Sequence, residues 1–210
     1  MRYLLLSTPI LALAILAPVA YAQAPQVDPP SQTVPQPPAP AAESAVPAPA
    51  AAKPIDALFE ALKRERDPEK AKGIASQIIA EMNDSGSATV NLLMQWSEDA
   101  IKEKKNAAAL DFLDRVTLLD PAFTEGWNRR ATLHYTMGDR RKSMSDIAEV
   151  LKREPRHFGA LAGLAGILME AEDDALALKA WERYLSVYPA DRDAQEAVSK
   201  LSEKIAGNRT

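Results

Sequence analysis

Residues 124–157 read TEGWNRRATLHYTMGDRRKSMSDIAEVLKREPRH, with Pro155 two residues before the end of the stretch. Prolines also stand 34 residues before it, at Pro121, and 34 residues after it, at Pro189. Apart from Pro68, no other proline follows Pro54. A fixed spacing of this length is the mark of a stacked structural repeat. If each repeat is numbered from 1 at Val90, Thr124 and Phe158, the other positions fall into register. Position 4 is Leu93, Trp127 and Leu161, and position 24 is Leu113, Ile147 and Trp181. Position 8 is Ser97, Ala131 and Ala165, and position 20 is Ala109, Ser143 and Ala177. Two positions are always large and two always small. Small residues let the two helices of a hairpin, and then the next hairpin, approach closely, while large ones fill the space between. Proline at position 32 stops the second helix and lets the next begin.

This register resembles the tetratricopeptide repeat family over 90–189. The family pattern W-x2-L-G-x2-Y…A-x3-F…P stands here as Trp127-x2-Arg130-Ala131-x2-His134…Ser143-x3-Ile147…Pro155. It recurs as Leu161-x2-Leu164-Ala165-x2-Leu168…Ala177-x3-Trp181…Pro189. Arg130 and His134 depart from the usual Leu and Tyr. The runs 126–135 and 154–161 are also similar to a group of small exported bacterial tetratricopeptide proteins with no established activity.

The resemblance implies an all-α solenoid of about four helical hairpins plus a C-terminal capping helix, spanning 54–207. Full repeats are expected at 90–123, 124–157 and 158–191. Backwards the pattern weakens. From a start at Asp56, Phe59, Ala75 and Ile79 fit positions 4, 20 and 24, but Lys63 falls where a small residue belongs. Asp67-Pro68 is an N-cap with a first-turn proline. We read 54–86 as a degenerate capping hairpin and 192–207, with Ala194, Ala197, Val198, Leu201 and Ile205 at helical spacing, as the final solubilising helix. About nine helices and no strands result.

Ahead of this domain the chain has a different character. Met1-Arg2-Tyr3 carries one positive charge, Leu4 to Ala20 is almost continuously apolar, and Ala20-Tyr21-Ala22 is a small-x-small site. Together they read as a secretory signal peptide over 1–22. The apolar run, broken by Pro9 and Pro18, is short of the ~20 residues a membrane span needs. Residues 23–53 are Pro- and Ala-rich, which denies the backbone both helix and sheet. We read them as a disordered linker: either a spacer that contacts cell-wall material or a leader without a partner. The implied location is the periplasm or cell envelope of a Gram-negative bacterium, with no stable membrane insertion after cleavage.

The composition excludes several classes of function. There is no cysteine, hence no disulfide, thiolate metal site, cysteine nucleophile or lipidated cysteine. A net charge of −4 offers no basic field to recruit nucleic acid. No HExxH, phosphate-binding Gly-rich loop or G-x-S-x-G is present, and two histidines, His134 and His157, do not make a zinc site. Asp146 and Glu149, sharing a face with Lys142, read as ordinary helix-surface pairing. No enzyme activity, cofactor or metal is expected.

In the family, positions 2, 5, 9, 12 and 13 of each first helix face a concave groove. Carried over, these are Asn91, Met94, Glu98, Ile101 and Lys102; Glu125, Asn128, Thr132, Tyr135 and Thr136; and Gly159, Ala162, Gly166, Met169 and Glu170. The Asn128 amide can hold a peptide backbone, and Tyr135 offers a flat apolar face with a polar tip. Gly159, Gly163 and Gly166 share one helix at about 1 kcal/mol each relative to Ala. Their smallness serves either a bound ligand or the neighbouring helix carrying Trp127 and Tyr135. The basic middle repeat and the acidic one after it read as solvated helix faces, as a polar groove or as a self-association interface of opposite charges. The function implied is a scaffold that holds a peptide or partner subunit. The alternative is a structural envelope component acting through self-association or its linker. The mature protein should begin at Gln23. An intact mass of the exported chain that still includes 1–22 would establish a membrane anchor instead.

Overall fold

Nine α-helices and no strand account for residues 54–207, those the computed structural model describes. In order they are α1 (Pro54–Arg64), α2 (Pro68–Asn83), α3 (Ala88–Lys102), α4 (Asn106–Leu119), α5 (Thr124–Thr136), α6 (Arg140–Arg153), α7 (Phe158–Glu170), α8 (Asp174–Val187) and α9 (Arg192–Gly207). The signal peptide and the linker read from the sequence lie outside the described residues. None of the described helices is long and apolar enough to cross a membrane.

Several helices start or stop for a local reason. Asp67 accepts from the amides of Glu69 and Lys70, and Ser87, Asp139, His157 and Asp173 cap α3, α6, α7 and α8. Helices α3, α5 and α7 end in the same turn. The amides of Lys104, Gly138 and Glu172 reach back to Ile101, Tyr135 and Met169, and the next amide along reaches Ala100, His134 and Leu168. This is the Schellman arrangement, which needs a left-handed residue at its centre. Gly138 has φ +81°, but Lys104 and Glu172 hold φ 59° without being glycine. Each costs roughly 1–2 kcal/mol for its Cβ.

Packing follows the small positions. Ser97, Ala131 and Ala165, with Ala109, Ser143 and Ala177, are 0–1% exposed. There α3 meets α4, α5 meets α6 and α7 meets α8, and these pairs are the closest neighbours in the fold. Leu93, Leu113, Ile147 and Leu161 fill the space around them and are buried. Trp127 is only partly buried. Its indole N–H donates to the Pro121 carbonyl at 3.1 Å, and its ring lies between the guanidiniums of Arg130 and Arg153, 4.7 and 4.9 Å from its centre. Successive hairpins join through α4–α5 and α6–α7, and α9 covers α8 with Ala194 and Leu201 buried.

The first hairpin does not share its core with α3. Phe59, Leu62, Ala71, Ala75 and Ile78 are buried together with Phe158, Leu161, Tyr184 and Tyr188, while Val90 and Leu93 belong to a separate cluster with α4. Accordingly α1 lies against α8, and α2 against α5. Arg156 fastens it, with bonds to Asp56 at 2.8 Å and Glu154 at 2.7 Å and its guanidinium 4.2 Å above the Phe59 ring. Burial alone would raise the Glu154 pKa, but the hydrogen bonds from Arg156 outweigh it and leave the carboxyl lowered. Lys63 gives a physical reason for this placement. It stands where the other hairpins carry a small buried residue and is itself exposed.

The small positions give a direct test. Ala109→Leu should destabilise by about 1–3 kcal/mol through overpacking. Ala107→Leu, exposed in the same helix, should stay within about 0.5 kcal/mol of wild type. Urea denaturation of both variants checks this, and equal stabilities would contradict the packing account.

Candidate partner-binding cleft

Helices α5 and α7, the first helices of adjacent hairpins, lie side by side with α6 behind them. Between them is a cleft of about 270 Å³. Asn128, Thr132 and Tyr135 form one wall, Ser143 and Ile147 the floor, and Gly159, Ala162, Gly163 and Gly166 the other wall. Six residues named from the sequence therefore meet here: Asn128, Thr132, Tyr135, Gly159, Ala162 and Gly166.

The α7 glycines are not small because a neighbouring helix presses on them. A Cβ on Gly166 would meet nothing within 4 Å, and one on Gly163 would sit 3.6 Å from Ile147 Cδ1, an ordinary contact. A Cβ on Gly159 would meet only the ring of His157, at 3.3 Å. Gly126 is the opposite case, since its Cβ would come within 2.5 Å of Val116 Cγ1 on α4. Gly166 leaves open space in the cleft wall, and Gly163 leaves room for a methyl group above Ile147.

Polar side chains close the cleft at each end. Asn128 donates its amide N–H groups to Glu125, 3.1 Å from both carboxylate oxygens. Glu125 also faces His157 Nε2 at 3.2 Å, while His157 Nδ1 accepts from the Ala160 amide at 3.0 Å. Capping α7 through Nδ1 places the ring proton on Nε2, directed at Glu125. At the other end the Tyr135 hydroxyl donates to Glu170, and Arg140 holds the same carboxylate at 2.7 Å. That hydrogen bond raises the Tyr135 pKa, and with Arg140 it lowers that of Glu170. The Asn128 amide nitrogen is thus committed within the chain, and the middle of the cleft is apolar. On α2, Ile79 and Met82 border a recess of about 150 Å³ that shares Asn128 and Gly159 with the cleft.

The remaining residues named from the sequence lie elsewhere. Asn91 ties down the loop before α3, accepting from Ser85 and donating to Asp84. Met94 is buried in the α3–α4 core. Glu98 pairs with Lys102 at 2.8 Å and Arg129 at 3.3 Å. The Thr136 hydroxyl donates to the Leu133 carbonyl. Met169 lines a separate recess with α9 and takes the Trp181 indole N–H on its sulfur at 3.4 Å.

Asp146 corrects the sequence reading. It is no surface partner of Lys142 but is 4% exposed and held by Arg130 through two bonds, of 2.9 and 2.7 Å. Arg130 also reaches Asp114 and Thr117 on α4, and His134 Nε2 stands 3.9 Å from Asp146. Hydrogen bonding to Asp146 raises the Arg130 pKa further above its already high value. The two departures from the family pattern, Arg130 and His134, are therefore one buried polar cluster replacing apolar packing. Three more basic residues of the middle repeat are spent between elements: Arg129 on Glu98 and Asn83, Arg140 on Glu170, and Arg156 on Asp56. Among the described residues no group of three or more His, Asp or Glu side chains could hold a metal ion.

No family model matches the chain. A TPR repeat-containing protein of Rhizobium etli is 64% identical to it over 156 residues, 74% of this chain and 76% of that one. Solved tetratricopeptide domains share the fold. The first TPR of Spaghetti (RPAP3), bound to the HSP90 peptide SRMEEVD, aligns with a TM-score of 0.53 at 19% identity, over 57% of this chain and 95% of that one. The Sgt2 TPR domain from Aspergillus fumigatus aligns with a TM-score of 0.53 at 18% identity, over 59% and 84%. The TPR2B domain of yeast Sti1, in a pHsp70 complex, aligns with a TM-score of 0.51 at 14% identity, over 56% and 99%.

The cluster under the cleft can be tested by removing one partner or both. Asp146→Ala leaves the Arg130 guanidinium held only by Asp114 and Thr117 and should cost about 1–3 kcal/mol. Arg130→Leu combined with Asp146→Ala should recover most of that loss. Equilibrium unfolding decides it, and a double variant as unstable as Asp146→Ala alone would refute the pairing.

Proposed function

Because the chain belongs to the tetratricopeptide repeat proteins, we propose that it is a non-enzymatic interaction scaffold whose α5–α7 cleft receives a segment of a partner protein. The observation that carries this reading is the glycine wall. Three glycines in one helix are costly, yet Gly166 faces open space and Gly163 has room for a methyl group in ordinary contact with Ile147. An occupant that presses against α7 would account for the cost. The apolar middle suits a short run of side chains, and the satisfied polar ends fix where such a segment must stop. Tetratricopeptide domains of the same fold seen with an HSP90 peptide and in a pHsp70 complex favour a peptide over a small molecule. The signal peptide and the Pro-rich linker read from the sequence favour work in the cell envelope of a Gram-negative bacterium.

Gly166 separates binding from stability. Gly166→Ala should stabilise the domain by about 0.4–1 kcal/mol, because a helical glycine is replaced where the space is free. Gly166→Leu should fold normally and fill the cleft. Crosslinking in intact cells, followed by identification of the captured protein, should show it lost with Gly166→Leu and kept with Gly166→Ala. Capture of the same protein at wild-type level by the Leu variant would sink the proposal. Asn128→Asp is a poor probe, because it sets a second carboxylate against Glu125.

A further inference from the structure

In this stack, positions 3, 7 and 10 of a first helix face the preceding hairpin. Gly126 abuts Val116 of α4, Arg130 bonds to Asp114 and Thr117 of α4, and Ala160 and Ile167 share a core with Ile147 and Val150 of α6. On α3 the residues at positions 3 and 7 are Leu92 and Trp96, and they are 42% and 46% exposed. The first hairpin, which would have covered them, is fastened on α7 and α8 instead. Trp96 leans on Phe112 of α4 with ring centres 5.7 Å apart. Around the pair is an open cleft of about 490 Å³ that Asp99, Glu103, Lys105 and Ala108 also line. Helical spacing carries the α4 stripe from Ala108 and Phe112 on to Arg115 and Leu119, and Leu119 is 60% exposed.

We propose that this α3–α4 face joins two copies of the chain in a two-fold dimer. Three observations select a second copy. The face is by its register a stacking face, so a helical hairpin is the shape that fits it. The other end of the stack is closed by α9, which leaves no matching surface for head-to-tail growth. Two-fold pairing is the arrangement that buries the open face of both copies at once. Charge agrees with that symmetry. Asp99 lies at one end of the face, 3.9 Å from a Lys102 that is itself bound to Glu98, beside the Glu103–Lys105 pair, and Arg115 lies towards the other end with no ion-pair partner among the described residues. Because α3 and α4 run antiparallel, a two-fold axis crossing them at Trp96 brings the Asp99 end of one copy over the Arg115 end of the other. Arg115 then gains the partner it lacks.

Sedimentation velocity of the purified exported protein tests this. The wild type should run as a concentration-dependent dimer. Trp96→Glu should weaken dimerisation about thirtyfold or more, as for a central aromatic anchor, with a melting temperature equal to the wild type's at concentrations where both are monomeric. Arg115→Glu alone should weaken it, as should Asp99→Arg with Glu103→Arg. An equimolar mixture of those two variants should dimerise again, since each copy then offers the charge the other needs. Gly166→Leu should leave the dimer intact, which keeps this result separate from the fate of the cleft. A wild type that stays monomeric across the accessible concentrations overturns the proposal. So does a dimer that Trp96→Glu leaves unchanged, which would place the contact elsewhere, for example in an exchanged first hairpin.

Discussion

The stack depends on a close approach that only small side chains allow. Ser97 with Ala109, Ala131 with Ser143, and Ala165 with Ala177 mark where the two helices of each hairpin come nearest, and these residues have almost no exposed surface. Spacing between helix axes is set by the side chains at the contact, so these three pairs fix the hairpin geometry and its repetition. The cleft between α5 and α7 is a product of that repetition. Two first helices are held side by side with a second helix behind them, and glycines on one wall turn the gap into usable volume. The same constraint accounts for the hairpin that leaves the series. With Lys63 at the equivalent place, α1 and α2 pack through Phe59, Leu62, Ala75 and Ile78 onto α7 and α8 instead.

Around this apolar scheme the chain uses arginine as a fastener between helices. Arg129 ties α5 to α3 and α2, Arg130 ties α5 to α6 and α4, Arg140 ties α6 to α7, and Arg156 ties the loop before α7 to α1. The planar fork suits such bridges, because several donors reach acceptors on two helices without rearrangement. The exposed members contribute little each. The Arg130–Asp146 pair differs, since both ends are largely removed from water and neither can lose the other cheaply.

Much of the fold was legible because the repeat imposes its requirement locally. A small residue at position 8 or 20 and a proline at position 32 can be read without knowing what lies far away. The all-helical fold and its resemblance to the tetratricopeptide proteins follow from those positions. The seat of the first hairpin was not legible, because it rests on contacts such as Arg156 with Asp56, 100 residues apart, which no periodicity encodes. The groove was legible in part for the same reason. The inward positions of α5 and α7 converge because those hairpins stack regularly. Asn91 and Met94 of α3 are taken up by a loop and by a core instead. Asp146 escaped because its partner Arg130 sits on the facing helix, while the spacing rule for surface pairs looks only along one helix. A basic residue at a position the family reserves for Leu was the available signal that a buried carboxylate had to be near.

The seat of the first hairpin also bears on how the chain folds. An open array of repeats, each touching only its neighbours, can fray from an end and fold outward from any nucleus. Here the first 30 or so residues of the domain are sealed against its last full repeat by a shared core and the Arg156 fork. Losing either end then disturbs the other, so unfolding should proceed as one cooperative event rather than by stepwise peeling. The cost is kinetic. The sealing contacts are far apart in sequence, and loop closure must precede them, so the last step of folding is slower than for an open stack of the same length.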